Sequence, residues 1–166
     1  MKLRYQTVIL LFIASLAMPA AATDQEDPLQ FLEPLVGERW VGHFRNMDDG
    51  PPLIFQWESI LDGQAIRFSR TVPERDFRAE STIYWDEQQL KVAYLSLTNN
   101  GYVSHGTVVL EGDRIIVAGD QMGPAGAKKV RAAFWIDAEG RLNNELHNWE
   151  NGRWEPAHTT FFERER

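Results

Sequence analysis

From Arg39 onward, turn signals recur every 8 to 14 residues and no helical period survives between them. The punctuation is Asp48-Asp49-Gly50-Pro51-Pro52, Asp62-Gly63, Pro73-Glu74-Arg75-Asp76, Asn100-Gly101, Gly112-Asp113, Ala138-Glu139-Gly140 and Asn151-Gly152. These are residues that preset or tolerate turn dihedrals. The spacing predicts ten strands, at residues 39–46, 53–61, 64–72, 77–85, 90–98, 102–110, 114–120, 128–137, 141–150 and 153–164. Short connections between sequential strands make an antiparallel meander, and a meander this long removes its exposed edges by closing. The expected fold class is all-β, an antiparallel up-and-down barrel of about ten strands with a short N-terminal helix.

Two tight turns predict register. Asn151-Gly152 suits the positive φ angles of a type I′ hairpin, which pairs Glu150 with Arg153, Trp149 with Trp154, His147 with Pro156 and Glu145 with His158. Facing residues share a side, so Trp149, Trp154, Glu145, His147, His158, Thr160 and Phe162 are expected on one face. Asp62-Gly63 pairs Ser59 with Ile66, Trp57 with Phe68 and Phe55 with Arg70 on one face, and Glu58 with Arg67 on the other. That division separates an aromatic inside from a charged outside. Arg70 is the exception on the inner face, placed either at the rim with its stem snorkelling or inside, where it needs an anion.

Residues 128–137 alternate, with Val130, Ala132, Phe134 and Ile136 on one side. A four-residue loop at 137–140 sets Phe134 opposite Asn143 and Ala132 opposite Glu145, which turns the Glu145 and His147 face inward. An odd loop residue or a bulge reverses that conclusion. Residues 90–110 leave the inside open: Tyr94, Ser96 and His105 are grouped against Leu95, Leu97 and Tyr102. The run 122–127, Met-Gly-Pro-Ala-Gly-Ala, reads as a flexible loop at a barrel mouth and lacks the residues of a phosphate loop.

Lys2 and Arg4 precede an apolar run at 8–18, and Ala20-Ala21-Ala22 follows, the pattern of a cleaved signal peptide over residues 1–22. The run is shorter than the roughly 20 residues of a membrane span, and Asp24, Glu26 and Asp27 follow it. A periplasmic or secreted location is expected, with no membrane span after cleavage. No cysteine is present, which excludes disulfides, thiolate metal sites and a lipidated cysteine. Without Lys2 and Arg4, 15 basic residues face 24 acidic ones, a formal net charge of −9 that argues against nucleic acid as a partner. The remaining chain, residues 23–166, is long enough for one domain with a sizeable core.

Asp27-Pro28 is a helix start, and Phe31, Leu32 and Leu35 form an apolar stripe ended by Gly37; Pro34 limits it to one or two turns, closing one end of the barrel. The sequence from Phe31 through Pro34, Gly37 and Trp40 to Gly42 resembles the helix-then-Gly-x-Trp opening of calycin barrels, the lipocalins and fatty-acid-binding proteins. With the hairpin at 61–66 and the ending Phe162-Glu163-Arg164, the chain is most similar to bacterial exported lipocalin-like domains over residues 23–166. Two residues separate Gly37 from Trp40 where lipocalins have one, and the carboxyl end lacks an Arg-x-Tyr pair, so the resemblance does not imply fatty-acid binding. Likeness to nitrobindin-like barrels implies a heme-ligating histidine, for which only His147 or His158 is available.

An aromatic face carrying a few polar groups is how a strand lines a ligand cavity. The expected function is to hold a small, mostly hydrophobic molecule inside the barrel, with Trp57, Arg70, Phe134, Glu145, His147, Trp149, Trp154 and His158 as candidate ligand-binding residues; the alternative is a cavity-free barrel acting through surface interactions. Glu145, His147 and His158 also suit a metal, heme or acid–base pair in residue type, but one hairpin supplies few ligand directions. No nucleophile elbow, zinc-protease helix or dinucleotide motif is present, and no cofactor or metal is assigned.

Overall fold

A computed structural model describes residues 27–45 and 50–165. The signal-peptide expectation over residues 1–22 lies outside the described residues. The strands are β1 (Arg39–Phe44), β2 (Leu53–Ile60), β3 (Ala65–Val72), β4 (Phe77–Asp86), β5 (Lys91–Thr98), β6 (Val103–Glu111), β7 (Arg114–Gly123), β8 (Gly126–Ile136), β9 (Leu142–Glu150) and β10 (Arg153–Arg164). Each pairs antiparallel with its sequence neighbour, and β1 pairs with β10, so the ten strands form a closed up-and-down barrel. Closure pairs every strand on both sides and leaves no open edge.

The N-terminal element is a 3-10 helix, Gln30–Leu35, with Pro34 inside it. Asp27 starts it: the Leu29 N–H donates to Asp27 Oδ1 at 2.8 Å and the Gln30 N–H to the Asp27 carbonyl at 3.0 Å. Leu32 and Leu35 are buried, and the Gly37 N–H donates to the Trp57 carbonyl at 2.8 Å. The helix thereby plugs the end of the barrel where β1 begins. Trp40, Leu142 and Phe162 are fully buried there, and the Arg164 guanidinium lies 5.0 Å from the Trp40 ring centroid.

The Asp62-Gly63 register is as expected, with Phe55 opposite Arg70, Trp57 opposite Phe68 and Glu58 opposite Arg67. Outside the barrel, Arg67 Nε donates to Glu58 Oε2 at 2.8 Å. Inside, Trp57 stacks on Phe68 at 3.8 Å and meets Phe134 edge-on at 5.6 Å. These contacts join β2, β3 and β8 in one aromatic floor.

Three expectations are corrected. The loop after β8 has five residues, 137–141, so Ile136 faces Leu142, Phe134 faces Asn144 and Ala132 faces Leu146. Asp137 builds this loop: its side chain accepts from the Glu139 and Arg141 N–H groups at 3.1 and 2.9 Å and from Asn143 Nδ2 at 3.0 Å. Second, the register of β10 shifts between Pro156 and His158, so His158 faces Leu146 and Ala157 is the extra residue. Proline has no N–H for the ladder, and a bulge is where such a residue is accommodated. Third, the run 122–127 is no loose loop, because Met122 pairs with Ala127 and Gly123 with Gly126, leaving only Pro124 and Ala125 between strands.

Candidate functional site

The inner face encloses a cavity of about 450 Å3. Its walls include Phe44, Leu53, Phe55, Phe68, Val72, Phe77, Ile83, Val117, Val130, Ala132 and Phe134, with polar groups from Arg70, Ser81, Tyr94, Ser96, Ser104, Gln121, Asn144 and His158. The lining reaches the exposed Arg75 and Asn100, so the cavity meets solvent at the end opposite the 3-10 plug.

The two register changes divide the expected site residues. Arg70, Phe134 and His158 line the cavity. Trp57 is fully buried in the aromatic floor beside it. Glu145 and His147 take the outer face and border a shallow surface depression with Glu111, Arg114 and Arg131, where Arg114 and Glu145 form an ion pair at 3.5 Å. Trp149 and Trp154 pair edge-to-face on the outer side at 5.2 Å and are 42% and 37% exposed. The placement of Glu145, His147, Trp149 and Trp154 in the interior is therefore corrected: the five-residue loop moves β9 by one position, and the bulge lets only the latter part of β10 face inward. Glu145 and His147 are separated from His158 by the barrel wall. Among the described residues no three His, Asp or Glu side chains converge to hold a metal ion.

Part of the polar lining comes from residues 90–110, where the sequence pattern leaves the inside face open. Tyr94 and Ser96 point inward with Tyr102 and Ser104, while Leu95 and Leu97 are 44% and 53% exposed. His105 is exposed and pairs with Leu95 on the outside, which corrects the grouping of His105 with Tyr94 and of Tyr102 with the leucines. Ser81, Ser96, Ser104 and Gln121 face one another in register across β4, β5, β6 and β7. Gln121 Nε2 donates to Ser104 Oγ at 3.2 Å. The result is a transverse row of hydroxyl and amide groups on one wall, opposed by phenylalanines on another. The sequence signal for it is Ser96 between the outward Leu95 and Leu97.

Arg70 stands beside this row. Its Nη2 donates to Ser96 Oγ at 2.8 Å, its buried Nε has no hydrogen-bond partner among the described residues, and its guanidinium carbon lies 5.3 Å from the Phe68 ring centroid. Burial lowers its pKa to about 10, with a partial opposing effect from Tyr94, so it remains a cation at neutral pH. Burial also raises the Tyr94 hydroxyl to about 12, an effect that Arg70 partly offsets. His158 packs edge-on against Phe44 at 5.2 Å, and burial followed by the Arg70 charge lowers its pKa. Asn144 Nδ2 donates to the Ala133 carbonyl at 3.2 Å, and the Thr160 hydroxyl donates to Asn144 Oδ1 at 3.4 Å, which fixes the amide in the wall near His158.

No protein-family model matches the chain, and a search of curated proteins finds no significant match either.

Proposed function

We propose that this protein binds a small, largely hydrophobic molecule inside its barrel. One observation carries the reading: a cavity of about 450 Å3, walled mostly by apolar and aromatic side chains and reaching solvent at one end, persists in an otherwise packed interior. Protein cores fill such space unless something else occupies it, and pockets of about 300–1,000 Å3 with a few placed polar groups are typical of small-molecule sites. The closed ten-strand antiparallel barrel is consistent with a calycin-type scaffold, and the opening around Phe31 to Gly42 supports a lipocalin-like assignment. Export to the periplasm or medium is part of the proposal, supported by the pattern of residues 1–22.

N-phenyl-1-naphthylamine, an uncharged dye that fluoresces in apolar surroundings, tests the reading. Saturable binding at one site per chain is expected. Val117→Trp, which places an indole in the cavity from β7, is expected to abolish it. Absence of saturable binding, or binding unchanged by Val117→Trp in a folded variant, overturns the interior site. Export is tested separately by the mass of the protein recovered from the periplasm or medium, which should correspond to a chain beginning near Thr23.

A further inference from the structure

We propose that the occupant of the cavity is an amphiphilic monoanion, an apolar body bearing one acid group, carboxylate foremost, held against the Arg70 guanidinium beside Ser96. The proposal rests on the reading of the cavity as a binding site and names the chemistry of what enters it.

Arg70 projects inward from β3, two residues from its mouth-side end and opposite Phe55 in the β2–β3 ladder. A guanidinium carries five N–H donors and no acceptor. Among the described residues it donates one hydrogen bond, from Nη2 to Ser96 Oγ, and its buried Nε has no partner. Eight of the described arginines find carboxylates, among them Arg67 with Glu58, Arg131 with Glu111 and Arg141 with Asp137. Among the described residues Arg70 has no such partner, and no aspartate or glutamate lines the cavity. Removing a cation from water without a counterion is costly, and a built-in partner is the usual remedy. Its absence from a wall that has room for a ligand points to a counterion that arrives with the ligand.

The surroundings favour the same chemistry. Arg75 adds a second cationic side chain at the mouth, in a domain whose formal net charge without Lys2 and Arg4 is −9. Arg70 and Arg75 are thus both in the described lining of the cavity. Ser96 and Tyr94 supply hydroxyl groups that can donate to the oxygens of an acid. Phe44, Leu53, Val72 and Phe77 supply apolar surface toward the mouth. A single acid group suffices for a single interior cation, and a cationic head would meet Arg70 as a like charge.

Displacement of N-phenyl-1-naphthylamine by decanoate, decanol and decylammonium isolates the head group at constant chain length. Decanoate is expected to bind about tenfold or more tightly than decanol, because hydrogen bonds to charged groups are the stronger ones, and decylammonium more weakly than both. Arg70→Met keeps the stem and removes the charge, and should erase the preference for decanoate while leaving decanol binding intact or improved. Arg70→Lys should retain part of the preference. Equal affinity for decanoate and decanol, or a preference that survives Arg70→Met, overturns the anion site while leaving the apolar cavity standing, as does dye binding that none of the three displaces. Failure of the dye itself to bind removes both. If Arg70→Met does not fold, the comparison of head groups on the native protein decides alone.

Discussion

Arg70 and His158 enter the same interior from β3 and β10, and the charge of one adds to the effect of burial on the other. His158 is held below its ordinary value of 6.5, first by burial and then by Arg70. The folded protein therefore takes up its proton at lower pH than the unfolded chain does. Below about 6.5 the unfolded state binds more protons, so the contribution of neutral His158 is complete above that pH and declines as pH falls toward the folded value. Thermal unfolding of the ligand-free protein should show a midpoint that drops between about pH 7 and pH 5, with a shallower slope in His158→Gln. Equal slopes in the two proteins would show that His158 titrates alike in both states. At the floor of the cavity, Trp57 contributes by stacking on Phe68 and abutting Phe134, although its Nε1 has no hydrogen-bond partner. Trp57→Ala should cost roughly 3–5 kcal/mol in urea unfolding. Trp57→Phe should cost clearly less, since it keeps a ring and removes the unpaired N–H.

At the scale of strands and turns, tight hairpins transmit register and loops conceal it. Asn151-Gly152 and Asp62-Gly63 were legible because their left-handed backbone, with φ of 51° and 81° in the first turn, belongs to few residue types. The pairs Trp149 with Trp154 and Phe55 with Arg70 followed directly. The five-residue loop at 137–141 was not legible, because its length depends on how many donors Asp137 collects, and the bulge at Ala157 depends on a ladder position beside Pro156. Each change is one residue long, and one residue reverses every side chain beyond it. The inside face of residues 90–110 stayed open for a different reason: exposed Leu95 and Leu97 invert the usual pattern where a wall lines a cavity instead of a core.

The same scale makes two predictions. Burial alone would raise the Asp137 carboxyl, but bonds from Asn143 and Arg141 hold it well below its usual range. Its contribution is present above the unfolded value of 3.8 and lost as pH falls below it. Asp137→Ala should lower the unfolding midpoint at pH 7 and narrow the gap between pH 7 and pH 3 relative to the native protein. Gly42 sits opposite Phe162 in the β1–β10 seam, where an added Cβ would lie 2.2 Å from the Phe161 carbonyl oxygen and 2.5 Å from the Phe162 ring. Gly42→Ala should therefore cost about 1–3 kcal/mol in chemical denaturation. A loss below a few tenths would mean that the seam relaxes around the methyl group.

For the whole molecule, the barrel is plugged at one end by Leu32 and Leu35 and closed laterally by the β1–β10 seam, so the mouth and its cavity are where packing is incomplete. An interior occupant makes contacts that exist only when all ten strands are in place. It must therefore stabilise the folded state by mass action, whatever its head group. At a free decanoate concentration about 100 times its dissociation constant, the gain is about 2.7 kcal/mol. For a domain of this size that corresponds to a rise of roughly 5–11 °C in the unfolding midpoint. Decanol at the same free concentration should raise it less, and Arg70→Met should make the two alcohol and acid shifts converge. Differential scanning calorimetry measures this directly. Dye binding without any shift in the transition would assign the fluorescence to exposed apolar groups such as Trp149, Trp154, Leu95 and Leu97, because adsorption to surfaces that remain available on unfolding does not favour the folded state.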